Sequence, residues 1–146
     1  MMNETIQTIM TPNPQFVYYN SLVSEIIDIF LKKNIHSLPV LKGEELVGIV
    51  SSYDLAGLLT KNQNFDKLEA RDIMNSRILR LSPEDKIGTA AELLLDRRFK
   101  ALPVVNYGRL VGIVTSYDVL RYEFKREYRT PILYKDVLEM NLRAAM

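Results

Sequence analysis

The sequence predicts an α/β protein made of two strand–helix–strand–strand–helix repeats followed by a C-terminal helical tail. Three observations carry that prediction. Residues 38–55, LPVLKGEELVGIVSSYDL, return as residues 102–119, LPVVNYGRLVGIVTSYDV, at a constant offset of 64 with eleven of eighteen positions identical. Self-similarity of this kind marks one supersecondary unit used twice. Each copy holds two short apolar runs around a short loop with glycine, which reads as a β-hairpin. An amphipathic stretch with helical spacing precedes each hairpin.

Taken in order, the entry segment with Ile9-Met10 runs into Thr11-Pro12-Asn13-Pro14 and an extended stretch over 15–18; residues 77–81 hold the equivalent place in the second copy. A helix follows in both. In the second copy Ser82-Pro83-Glu84-Asp85 predicts its start, with Ser82 as cap, Pro83 in the first helical position and acids in the first turn. In the first copy Asn20 or Ser21 takes the cap. Leu22, Val23, Ile26, Ile27, Phe30 and Leu31 form one apolar stripe, and Ile87, Ala90, Ala91, Leu94 and Leu95 form the other. Lys32 and Lys33, and Arg97 and Arg98, place cations at the negative helix ends. Gly88, early in the second helix, costs about 1 kcal/mol relative to alanine.

After each hairpin comes Ser51-Ser52-Tyr53-Asp54 or Thr115-Ser116-Tyr117-Asp118, an S/T-x-x-D helix start. The polar stretch 61–67 reads as a linker, and Ala70-Arg71-Asp72-Ile73-Met74 re-enters the pattern. The expected division is repeat 1 over 1–64, repeat 2 over 65–122 and an extension over 123–146. In that extension the last helix continues, Thr130-Pro131 breaks it, and Leu133, Val137 and Met140 form a stripe that packs back on the domain or meets a partner.

Apolar residues at 47% and charged residues at 25% suit a soluble globular protein. With no cysteine and one histidine, disulfides, thiolate chemistry and a structural zinc site are not expected. The N-terminus lacks the regions of a signal peptide, and the apolar run 26–31 is broken by Asp28 and too short to span a bilayer. A cytoplasmic location and no membrane contact are the expectation. Net charge is +1, without the basic field that nucleic acid requires. Neither a Ser-His-Asp order nor a P-loop is present, so no enzyme, catalytic cofactor or metal is expected.

The hairpin followed by Gly-Ile-Val-(Ser/Thr)-x-x-Asp, with Ile9-Met10 and Ile73-Met74 at the entries and both Leu-Pro-Val segments, resembles a tandem pair of CBS domains, a Bateman module, over about residues 9–122. The resemblance implies two βαββα units packed sheet to sheet about a pseudo-twofold axis. The small core that sixty residues can bury alone makes this sensible.

It also implies an adenine nucleotide or nucleoside in the clefts between the repeats: AMP, ADP or ATP first, with S-adenosylmethionine or NAD behind them. Carried over by position, Asp54 and Asp118 take the ribose and Ser51 and Thr115 lie near the phosphate. Met10-Thr11 and Met74-Asn75 lie near the base, as does the backbone at Ser37-Leu38 and Ala101-Leu102. His36 and Lys100, at equivalent positions, face the phosphates. Asp118 is expected to matter more than Asp54, because Thr115 and Lys100 accompany it in its copy.

Read from the residues alone, S/T-x-x-D is equally a capping box, and Tyr53 and Tyr117 either stack on a ligand or cover the cleft mouth. The expected function is a regulatory, ligand-sensing homodimer that signals to an effector protein. The alternative is a ligand-free dimerisation or docking module.

Overall fold

The computed structural model describes residues 4–61, 64–127 and 134–145. Both hairpins form as expected. In the first, β3 (Ser37–Lys42) pairs antiparallel with β4 (Glu45–Ser51); in the second, β5 (Ala101–Asn106) pairs with β6 (Arg109–Thr115). Gly43 turns the first hairpin at φ 62°, while Tyr107 and Gly108 turn the second at φ 51° and 77°. The second turn thus has positive φ at both central residues, as a type I′ turn requires, whereas the first has it at Gly43 alone. Each hairpin carries the same irregularity: Val40 faces Gly48 and Leu41 faces Leu46, as Val104 faces Gly112 and Val105 faces Leu110. One residue, Val47 or Val111, is thus bulged out of the ladder.

Ahead of the hairpins lie β2 (Val17–Tyr18), which joins β3 in parallel, and a single parallel bridge from Leu81 to Val104. The helices α1 (Val23–Lys33) and α4 (Ile87–Leu95) follow, and α2 (Ser52–Leu58) and α5 (Ser116–Glu127) close the repeats. The two three-stranded sheets meet through β4 and β6. The side chains of Glu44 and Arg109, one from each hairpin turn, pair across the junction at 3.3 Å.

Chain order and core membership cross. The first core gathers Val17, Ile26, Phe30, Leu38, Val40 and Val50, and it is completed by Ala70. The second gathers Leu81, Ile87, Ala90, Leu102, Val104 and Val114, and it is completed by Ile6 and Ile9. Backbone bonds fix the exchange. Ile6 N–H donates to the Asp85 carbonyl (2.8 Å) and Ile87 N–H to that of Glu4 (2.9 Å); reciprocally, Ala70 N–H donates to Ser21 (2.8 Å) and Val23 N–H to Leu68 (2.9 Å). The short strand β1 (Thr11–Pro12) pairs with β6, and Asn75 exchanges both backbone bonds with Ile49 (2.9 and 3.0 Å). Each repeat therefore lends its entry segment, including the short helix α3 (Ala70–Ile73) of the second, to the other repeat's sheet.

Several local expectations are corrected. Ser82–Asp85 does not open α4. Asp85 Oδ2 accepts the Ser82 N–H (2.7 Å) and closes a turn, while the Pro83 and Asp85 carbonyls accept the N–H groups of Gln7 and Ile6. The helix begins four residues later, because those carbonyls are already taken by the exchanged N-terminal segment. Likewise α1 has Leu22 as its cap, without a side-chain bond, and Ser21 Oγ accepts from Tyr18 N–H instead (3.0 Å).

The buried stripes are narrower than the spacing suggests. Val23, Ile26 and Phe30 are buried, yet the equivalent Leu31 and Leu95 are 78% and 83% exposed. Arg97 and Arg98 fall past the end of α4 and so do not sit in its last turn. In α6 (Tyr134–Ala145), Val137 and Met140 are exposed, so that stripe does not pack back on the domain. The break expected at Thr130-Pro131, Leu133, and linker residues 62–63 lie outside the described residues.

Gly48 and Gly112 mark where the exchange is tightest. A Cβ built at Gly48 would stand 2.5 Å from Met74 Sδ, and one at Gly112 would meet Met10 Sδ in the same way. Overpacking of this sort costs about 1–3 kcal/mol. Gly48→Ala is expected to lower unfolding free energy by that amount, measured by denaturant titration. Adding Met74→Ala to it is expected to cost less than the two single changes together, since the shortened side chain vacates the clash.

Candidate functional site

Past the bulge, β4 turns Gly48 and Val50 inward and leaves Ile49 and Ser51 on its other face. At Ser51 the strand ends in the capping box of α2. Asp54 N–H donates to Ser51 Oγ (3.3 Å), and Asp54 Oδ2 accepts both the Ser51 N–H (2.7 Å) and the Ser51 hydroxyl (3.0 Å). The S/T-x-x-D motif is thus a helix cap in fact. It spends one carboxylate oxygen only; Asp54 Oδ1 has no partner among the described residues.

The exchanged stretch of the second repeat crosses in front of this corner. Because Asn75 is bonded to Ile49, residues 77–79 lie opposite Ser51 and Asp54, and residues 97–102 close the far side. The cleft, half open to solvent, has a volume of about 510 Å³, within the range of small-molecule sites. Ile49, Ile78, Leu79 and Phe99 supply apolar wall, Ser51 and Asp54 supply acceptors, and Arg77, Arg97, Arg98 and Lys100 supply positive charge. Apolar walls suit a flat ring, a free carboxylate oxygen suits hydroxyl groups, and cations suit an anionic substituent.

One of the four cations is already paired. Arg98 binds Asp96 through its Nε and Nη2, with the shortest contact at 2.7 Å. The hydrogen bonds to Arg98 lower the Asp96 carboxyl to about 2. Arg77, Arg97 and Lys100 have no ion-pair partner among the described residues.

The equivalent corner of the second repeat is built differently. Asp118 Oδ2 accepts the Thr115 N–H (2.9 Å) and hydroxyl (3.2 Å), while Oδ1 accepts the Thr11 hydroxyl (3.3 Å) and lies 3.9 Å from Arg121 Nη2. Asp118 is only 3% exposed. The Arg121 guanidinium also lies over the Tyr117 ring at 5.6 Å.

Of the residues expected at a ligand, Ser37, Ser51, Asp54, Asn75, Lys100, Ala101 and Leu102 line the cavity, as does Tyr53. Thr11, Thr115 and Asp118 form the second cluster. The pairing of Lys100 with Asp118 is corrected: the fold sets Lys100 in the cavity beside Asp54, since residues 97–102 of the second repeat face the corner of the first. Leu38 is a core residue of the first half, and Met10 and Met74 pack on the glycines of the opposite hairpins. The side chain of His36 is exposed and outside the cavity lining, and its carbonyl accepts the Ser52 N–H (2.9 Å). Sequence reading missed Arg77, Ile78, Leu79, Arg97, Arg98 and Phe99. The cluster of cations at 77, 97, 98 and 100 was the available signal, hidden by reading Arg97 and Arg98 as helix-end charges.

This architecture, two hairpin units with capped helices around a shared cleft, is that of a CBS pair, and the chain belongs to the CBS-domain family. The CBS-domain family model matches residues 6–61 and 70–125. An uncharacterized protein of Methanocaldococcus jannaschii, MJ1225, is 30% identical over 125 residues, covering 82% of this chain and 43% of the relative. A 33.4 kDa protein from a ribosomal RNA operon of Thermofilum pendens is 31% identical over 136 residues, covering 84% and 45%. The chain thus spans less than half the length of these curated relatives.

Among solved structures, CBSX2 of Arabidopsis thaliana in complex with AMP is 29% identical, with a TM-score of 0.75 over 86% of this chain and 99% of that one. The CBS pair of protein MJ0100 in complex with 5′-methylthioadenosine and S-adenosyl-L-methionine is 28% identical, with a TM-score of 0.72 over 84% and 97%.

The Asp96–Arg98 pair gives a direct check on the cavity wall. Asp96 is expected to titrate at about 2 when followed by carboxyl carbon NMR, against an ordinary aspartate value of about 3.9. In Arg98→Ala the midpoint is expected to rise part of the way to that ordinary value, because the guanidinium's hydrogen bonds and charge are gone while the backbone N–H of residue 98 still donates to Oδ1. A midpoint unchanged by Arg98→Ala would mean that the pair does not form in solution.

Proposed function

We propose that this chain is a regulatory, non-catalytic module that binds an adenine nucleotide in the cavity beside Asp54 and passes the bound state to a partner protein. One observation carries the reading. Asp54 lines a cavity with apolar walls, and among the described residues one of its carboxylate oxygens and three of the cavity's cations have no partner. A purine, a ribose diol and a phosphate call for that set of surfaces in that combination. The similar CBS pairs solved with AMP and with S-adenosyl-L-methionine support an adenosine-based occupant. AMP, ADP or ATP fit the cations better than S-adenosylmethionine or NAD.

The effector is a second protein, and nucleic acid is not the first choice of partner. No described helix is long and apolar enough to cross a membrane, and a cytoplasmic setting belongs to the proposal. A second reading, a docking module that needs no ligand, draws on Leu31 and Leu95. These leucines occupy equivalent positions on α1 and α4 and are both open to solvent. In the first reading the same faces make the homodimer.

Thermal unfolding against AMP, ADP, ATP, S-adenosylmethionine and NAD tests the two readings. A ligand at 100 times its dissociation constant stabilises by about 2.7 kcal/mol, or roughly 5–10 °C for a domain of this size. Indifference to the whole panel would favour the docking reading. Light scattering is expected to give the mass of two 16.9 kDa chains, and Leu31→Glu with Leu95→Glu to give one. A monomeric wild-type chain would remove the dimer from both readings.

A further inference from the structure

The two repeats share their motif, yet the corners they build differ atom by atom where a ligand would touch. Asp54 spends Oδ2 on its cap and leaves Oδ1 without a partner among the described residues, whereas Asp118 has both oxygens engaged. Five substitutions between the copies at the offset of 64 residues separate the two corners. Where the second repeat has Arg121, 3.9 Å from Asp118, the first has Gly57, so Asp54 has no cation one turn along its helix. Where the Asp118 corner is crossed by Thr11, whose hydroxyl bonds the carboxylate, the Asp54 corner is crossed by Asn75. The Asn75 Oδ1 instead accepts the N–H of Arg77 (3.0 Å). And Arg77, Arg97 and Lys100 line the Asp54 cavity, whereas the residues at the equivalent positions of the other repeat are Asn13, Lys33 and His36.

We infer that the clefts are unequal: the Asp54 cavity is the ligand site and selects a phosphorylated occupant, while the Asp118 corner is latched by Thr11 and Arg121 and takes none. This rests on the nucleotide-binding reading above and narrows it to one site per chain. A ribose hydroxyl entering at Asp118 would have to displace the Thr11 hydroxyl and compete with Arg121 at a carboxylate already buried. At Asp54 it meets a vacant oxygen. Beyond the sugar, the three unpaired cations face one carboxylate. An anionic tail is attracted there, and the sulfonium of S-adenosylmethionine is repelled.

Calorimetry and amide chemical-shift mapping test this on the full chain. AMP is expected to bind once per chain, at least about tenfold more tightly than adenosine, and Arg97→Ala with Lys100→Ala is expected to remove most of that preference. Those two side chains are exposed, so the fold survives the change. Asp54→Asn is expected to weaken AMP by about 10- to 150-fold, the range for losing a charged hydrogen-bond acceptor. Asp118→Asn is expected to leave affinity within about twofold; should that buried change unfold the chain, Thr11→Val probes the same corner and is expected to leave affinity equally unchanged. Two AMP sites per chain, or a loss in Thr11→Val or Asp118→Asn that matches Asp54→Asn, would overturn the inference and leave the broader reading standing.

Pyrophosphate serves as the probe that separates the two. It is expected to shift the amides of residues 77–79 and 97–102 and to leave 33–36 and 115–118 unmoved. That pattern with no nucleotide binding would support the anion-selective cavity and discard the adenine reading. No shift from pyrophosphate at 77–79 and 97–102 would overturn the inference.

Discussion

Residues 4–12 and 69–75 are held by backbone hydrogen bonds to the half of the molecule they do not begin, and the rest of the structure depends on that exchange. A unit of sixty residues buries too little surface to stand comfortably alone. Here each unit borrows: Ile6 and Ile9 enter the second core, and Ala70 enters the first. A fully buried isoleucine contributes about 1.5–3 kcal/mol, and each backbone bond about 0.5–1.5 kcal/mol net. The borrowed segments thus contribute several kcal/mol against a domain stability of only about 5–15 kcal/mol. The two halves therefore fold as one object, although their sequences read as two.

The exchange also makes the cavity. Had residues 75–79 stayed with their own sheet, nothing would cross the face of Ile49 and Ser51. The glycines that admit the crossing, Gly48 and Gly112, lie inside the repeated Gly-Ile-Val motif, opposite Val40 and Val104. What looks in sequence like part of a strand signature is, in space, the place where the partner repeat's methionine lies against the backbone. Packing and site thus share one residue, and the site's shape is a consequence of how the core closes.

The hairpins, the helix starts at Ser51 and Thr115 and the pairing of repeats were legible because local chemistry decides them: turn glycines, β-branched runs and hydroxyl-to-acid spacing act within a few residues. The exchange was not legible, since nothing local to Ile6 or Ala70 says which of two near-identical sheets will receive it. The start of α4 was misread for the same reason. Ser82-Pro83-Glu84-Asp85 has every local mark of a helix N-terminus, and only a segment some eighty residues upstream, bonding the Pro83 and Asp85 carbonyls, prevents it. Site residues divided along the same line. Ser51 and Asp54 came from the motif, whereas Arg77, Arg97 and Phe99 are neighbours of that motif only across the exchange.

A capping aspartate and a ligand-binding aspartate are often treated as rival readings of one residue, yet a carboxylate has two oxygens and can serve both. At Asp54 the cap consumes Oδ2 and holds the side chain where it lines the cavity, with Oδ1 unpartnered among the described residues. At Asp118 the Thr115 N–H and hydroxyl hold Oδ2 in a similar way, but there Thr11 and Arg121 lie against Oδ1. The motif prepares the oxygen in both repeats; the residues one helical turn on and across the strand decide whether it stays available. Symmetry at the level of the fold is therefore compatible with asymmetry at the level of chemistry, because the shared motif places the carboxylate in both repeats while Thr11, Asn75, Gly57 and Arg121, outside that motif's identical positions, decide what reaches it.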